Sequence, residues 1–146
     1  MAVSRETSRK KLAELMEATI TEVSDVKAYQ PSIIGATPAI YIRSLGSDRP
    51  VMTVRGKMTS FLFDILVIVN QGDPNASPPW TEAQAEDLLD AIESKICTVI
   101  SDNAVVDGAW NRINYMHHSE VRHFNDEGIP YLMEEIPVEV EAYRDA

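Results

Sequence analysis

Residues 131–143 alternate between apolar side chains and carboxylates, and this alternation constrains the fold more than any other feature of the chain. Leu132, Ile136, Val138, Val140 and Ala142 share one parity, whereas Glu135, Glu139 and Glu141 share the other. Successive side chains of a strand point to opposite faces, so the spacing predicts one packed face and one wet, acidic face. A strand of this kind needs a layer of other elements on its apolar side.

Residues 61–69 are apolar on both parities apart from Asp64, the pattern of a central strand covered on both faces. Residues 26–30, 39–45 and 51–55 predict further strands. In the second of these Ile40 and Ile42 share one parity, Tyr41 and Arg43 the other. Gly46-Ser47-Asp48-Arg49-Pro50 and Gly56-Lys57 carry turn chemistry. A long strand over 112–124 turns at Asp126-Glu127-Gly128 into the closing strand, predicting an antiparallel hairpin.

Two amphipathic helices complete the pattern. Over 7–23, Leu12, Leu15, Met16, Thr19, Ile20 and Val23 fall on one face. Arg5, Arg9, Lys10 and Lys11 crowd its first turns, where the helix dipole disfavours positive charge. The second follows a capping box, Thr81-Glu82-Ala83-Gln84, in which the Thr81 hydroxyl and the Gln84 side chain exchange bonds with each other's backbone. Leu88, Leu89, Ile92, Ile96, Val99 and Ile100 form its apolar stripe, which ends near 101–103. The order is helix, three or four strands, helix, two strands. It predicts an α+β fold, an antiparallel or mixed β-sheet with two α-helices packed on one face, in a single domain over 1–146. Loops near 46–60 and 71–79 are expected to project from it.

Charge and composition narrow the function. The 146 residues carry a formal net charge of −10, from 23 acidic and 13 basic side chains. A duplex-binding module gains most of its affinity by neutralising phosphates, so specific DNA binding is not expected. One cysteine, Cys97, permits no internal disulfide and fits a reducing compartment. No apolar run reaches the roughly 20 residues of a membrane span. The opening Met-Ala-Val-Ser and its charged sequel lack the apolar core of a signal peptide, so the cytoplasm, or something assembled there, is the expected location.

No catalytic constellation emerges: neither a Gly-x-Ser-x-Gly elbow nor a glycine-rich phosphate loop occurs. On an unbroken strand His117 and His123 would lie roughly 20 Å apart, with His118 turned the other way, so no metal site is expected. Cys97 lies beyond the apolar arc of its helix and lacks the basic neighbourhood of a reactive thiol. No enzyme activity, cofactor or metal is therefore expected.

The charges are unevenly placed. Residues 43–57 hold four bases (Arg43, Arg49, Arg55, Lys57) and one acid, whereas 125–146 hold seven acids and one base. Such asymmetry suits head-to-tail assembly, the basic segment of one subunit meeting an acidic surface of the next, with ring closure where the rotation permits. A sixfold ring would carry about −60, six times −10, and an acidic lumen lined by Glu135, Glu139 and Glu141 would keep DNA mobile.

In element order, length and acidic character the chain resembles the tail terminator (tail completion) proteins of long-tailed bacteriophages. The likeness covers nearly all of the chain. It runs from Lys10-Lys11-Leu12-Ala13-Glu14-Leu15 through the strand Phe61-Leu62-Phe63-Asp64-Ile65-Leu66-Val67-Ile68-Val69 to the closing Ile136-Pro137-Val138-Glu139-Val140-Glu141-Ala142-Tyr143. The resemblance implies an α+β subunit that forms a hexameric ring on the last ring of the tail tube. That ring stops tube polymerisation and joins the tail to the head in the virion neck. Implied partners are the tail tube protein, the head–tail connector protein and genomic DNA in transit, with no membrane and no catalytic residues. A head–tail connector or head-closure protein is the neighbouring alternative. A small ligand-binding or enzymatic α+β domain is the alternative from another class, expected to gather Asp64 or His118 at a cavity between sheet and helices.

Overall fold

The computed structural model describes residues 3–48, 57–71, 82–115 and 118–144, with the backbone alone at 57, 58, 143 and 144. Among these residues the chain runs α1 (Arg5–Thr19), β1 (Asp25–Lys27), β2 (Ala39–Asp48), β3 (Lys57–Asn70), α2 (Glu82–Asp102), β4 (Arg112–Tyr115), β5 (Glu120–Asp126) and β6 (Ile129–Arg144). The strands form one six-stranded mixed sheet. β3 is central, antiparallel to β2 on one side and to β6 on the other. β1 extends β2 in parallel, and β4 and β5 share the outer edge of β6.

Both helices pack on one face of this sheet. Leu12, Ala13 and Met16 of α1 and Ala85, Leu89, Ile92, Ile96 and Val99 of α2 share a core with Ile40, Ile42, Phe61, Phe63, Ile65 and Val138. The apolar parity of β6 is buried there: Leu132, Ile136, Val138, Val140 and Ala142 all belong to this core. Each fully buried Leu, Ile or Phe contributes roughly 1.5–3 kcal/mol. α1 begins where Ser4 accepts a 3.1 Å bond from the Thr7 amide, and it stops at Ile20, short of the expected Val23. Ile20 and Val23 still pack against the core beyond the helix end. The capping box at Thr81 lies outside the described residues.

The expected strand over 112–124 is two strands. Tyr115 pairs with Val138 and Glu120 with Glu135, so four residues of this segment face two of β6. A continuous ladder needs equal counts, and the two extra residues force the break. Three strands therefore follow the second helix, not two. The expected spacing of His117 and His123 assumed an unbroken strand, and His117 lies outside the described residues.

The expected turn at 46–50 also shifts outward. β2 continues to Asp48, with Leu45 as the extra residue of a bulge between Ser44 and Gly46. β3 already begins at Lys57, so the arms of this hairpin take up part of the expected loop at 46–60, at 46–48 and 57–60. Residues 51–55 and 72–79 lie outside the described residues.

The hairpin joining β5 to β6 has a two-residue loop, Glu127-Gly128, between the paired Asp126 and Ile129. Both loop residues have positive φ, 51° and 80°, as a type I′ turn requires. Trp110 anchors the segment after α2: it is 2% exposed, and its indole N–H donates to the Asn103 carbonyl at 2.8 Å. The Ser8 hydroxyl of α1 donates to the Ala109 carbonyl at 2.7 Å, tying this segment to the first helix.

Candidate interaction face

Among the described residues no helix covers the other face of the sheet, and cross-strand register fixes what it displays. Arg43 stands opposite Asp64, Leu66 opposite Glu135, Leu62 opposite Glu139 and Ser60 opposite Glu141. Three zones follow along the strands.

One end is apolar. Ala39, Tyr41, Leu66, Ile68 and Tyr131 form a second small core, with Ile34, Phe124 and Met133 against it. Phe124 stacks on Tyr131 at 5.3 Å between ring centres. The Gly35 amide donates to the Tyr41 hydroxyl at 3.3 Å, which pins the segment before β2 over this zone.

The middle is an ion-pair network. The Arg43 Nε and Nη2 both donate to Asp64 Oδ2, at 3.2 and 2.9 Å, and its Nη1 donates to Gln30 at 3.0 Å. Glu135 lies between Arg43 at 4.0 Å and Arg122 at 3.5 Å, and Arg122 also binds Glu120 at 3.2 Å. Asp64 is buried, with its side chain 7% exposed, so the guanidinium compensates a carboxylate that water does not reach well. A cavity of about 320 Å³ opens beside this network, lined by Leu45, Leu62, Asp64, His118, Glu120, Glu135 and Pro137.

The far end is acidic. Burial pushes the Glu139 carboxyl above its ordinary value, and the neighbouring Glu141 and Asp48 push it further, against Arg112, which lowers it. This is the wet acidic face expected of 131–143, although its members differ. Glu135 lies between two guanidinium groups, whereas among the described residues Glu139 and Glu141 have no cation within 4.0 Å, although Arg112 stands opposite Glu141.

The other sequence-derived residues divide the same way. Arg43 is committed to Asp64 inside the subunit. Arg49 and Arg55 lie outside the described residues, and Lys57 opens β3 with only its backbone described. Asp64 and His118 do line one cavity, but it lies on the open face and not between sheet and helices. Arg122 went unnoticed in the sequence, because its reach to Glu135 depends on how β5 sits beside β6.

On the helix side, Glu134 is a second perturbed carboxyl. It is 5% exposed and accepts a 2.6 Å bond from the Ser119 hydroxyl. Burial raises its pKa, the Ser119 bond opposes this, and Glu93 and Asp90 of α2 add to the rise. Burial likewise raises the Cys97 thiol, which bonds Glu93 at 3.2 Å; a thiol so placed is a poor nucleophile. Among the described residues no group of three or more His, Cys, Asp or Glu side chains could hold a metal ion, and no helix is long and apolar enough to cross a membrane. No protein-family model matches the chain, and no curated protein is significantly similar to it.

Proposed function

We propose that this chain is the tail terminator of a long-tailed bacteriophage. Copies of it form a hexameric ring on the last ring of the tail tube protein. The ring denies the next tube subunit its site, offers a surface to the head–tail connector protein, and lets genomic DNA pass. Its place is the virion neck, reached after assembly in the host cytoplasm.

The observation that carries this reading is the one-sided sandwich: two helices on one sheet face, and on the other an ordered ion-pair network between an apolar zone and a carboxylate zone. A sheet face whose side chains are fixed by strand register and ion pairs suits recognition of other subunits. The ion pairs set register with little net affinity. The net charge of −10 supports passage of DNA without adhesion.

Immunogold labelling of phage tails tests the placement. Gold against this chain should mark one end of each tail, the end that meets the head. Label along the whole tube, or none on intact virions, would contradict the assignment.

A further inference from the structure

Two charged patches lie back to back at one end of the sheet. On the helix side, Arg5 Nη1 donates to the Ser47 hydroxyl at 3.2 Å and Arg9 Nη1 to the Ser44 hydroxyl at 2.9 Å. Both serines stand opposite buried phenylalanines, Phe61 and Phe63, so they share the helix side of β2. On the open side, Asp48 and Glu141 both pair with Ser60, and Gly46 and Glu139 both pair with Leu62. Neighbouring rows at this end of the sheet thus carry guanidinium on one face and carboxylate on the other.

Among the described residues each patch is only partly compensated: Arg112 stands opposite Glu141 and acts against the rise of the Glu139 carboxyl, and Glu6, bound mainly by Lys10, lies near enough to Arg9 to feel its charge. Lys10, Lys11, Lys27, Lys95, Arg43 and Arg122 each have a carboxylate within 4.0 Å. Among the described residues Arg5 and Arg9 have only hydroxyl partners, and Arg9 Nε is buried without an acceptor. A hydroxyl accepts a bond but brings no counter-charge, at a helix end whose dipole already disfavours positive charge. Across the sheet, Glu139 and Glu141 repel one another, and burial raises the Glu139 carboxyl further.

We propose that the chain binds a second copy of itself head to tail, the Arg5–Arg9 pair of one protomer seating on Glu139 and Glu141 of the next; the proposal rests on the ring reading above. Opposite charges on opposite faces are what a heterologous repeat joins, whereas a two-fold contact would set like against like. Each guanidinium can bind a carboxylate bidentately. Glu139 and Glu141 then belong to the seam between subunits and not to the channel wall.

Sedimentation velocity of the full chain, at about 50 mM and about 500 mM salt, tests the contact. The wild type should assemble at low salt and weaken at least about tenfold at high salt. R5E/R9E and E139K/E141K should each be monomeric, and an equimolar mixture of the two should regain the assembly, which also proves that both variants fold. R5Q/R9Q, which keeps donors for Ser44 and Ser47, should be monomeric too. Assembly of R5E/R9E equal to the wild type, or a mixture that stays monomeric, would overturn the contact while leaving tube capping to its own test. A wild type that is monomeric at every concentration would also overturn it, as would one that instead retains duplex DNA through Arg5 and Arg9.

Discussion

Arg43 and Asp64 are partners that neither parity nor composition could have introduced to each other. They sit 21 residues apart, and only the register of β2 against β3 brings them opposite. Removing the guanidinium leaves a carboxylate with a side chain 7% exposed and without its main counter-charge. Breaking a fully buried pair costs about 3–5 kcal/mol. Arg43 is 35% exposed, so Arg43→Ala should cost about 2 kcal/mol, measured by denaturant unfolding. The double change Arg43→Met, Asp64→Leu should recover most of that loss, since an apolar pair needs no compensation. Glu134 gives a prediction in pH. Its raised pKa means the native chain holds this proton at pH values where the unfolded chain has released it. Stability therefore falls as pH rises from the ordinary value of 4.5 through the raised native value. Glu134→Gln should lose that slope and be more stable than wild type at neutral pH, with little difference below the ordinary value. Equal pH profiles for the two proteins would contradict the assignment.

At the scale of elements, the β5–β6 hairpin turns on a residue poorly suited to its place. Glu127 occupies a left-handed conformation, φ 51°, at the first central position of a type I′ turn, where Asn or Gly is favoured. Glu127→Asn should stabilise the chain by about 0.5–1 kcal/mol, seen as a rise of a few degrees in the melting temperature. How far the elements were legible depends on whether their signals are local. The stripe of α2, the two-sided apolar run of β3 and the alternation of β6 are local, and each element stands where its pattern put it. The split between β4 and β5 was not legible, because it arises from a count of residues against a partner strand. β2 ran past its expected turn for a similar reason. Gly46, Ser47 and Asp48 are turn-forming residues held in a strand by β3 on one side and by the arginines of α1 on the other. The candidate face was half legible: the odd parity of β6 announced its acids, while their cations come from strands whose order no local pattern encodes.

For the whole molecule, the sandwich divides its labour between two faces. One face of the sheet buries the helices and holds the chain together. Among the described residues the other carries no helix, and strand register places its ion pairs and carboxylates. On the proposed reading, a ring built from such subunits would act by shape, capping one assembly and receiving another, and would need no reactive group. A phage with an early stop codon in this reading frame, viewed by electron microscopy of lysates, tests that claim most directly. The account predicts overlong tail tubes separated from DNA-filled heads. Tubes of normal length, whether detached from heads or joined into infectious particles, would contradict it.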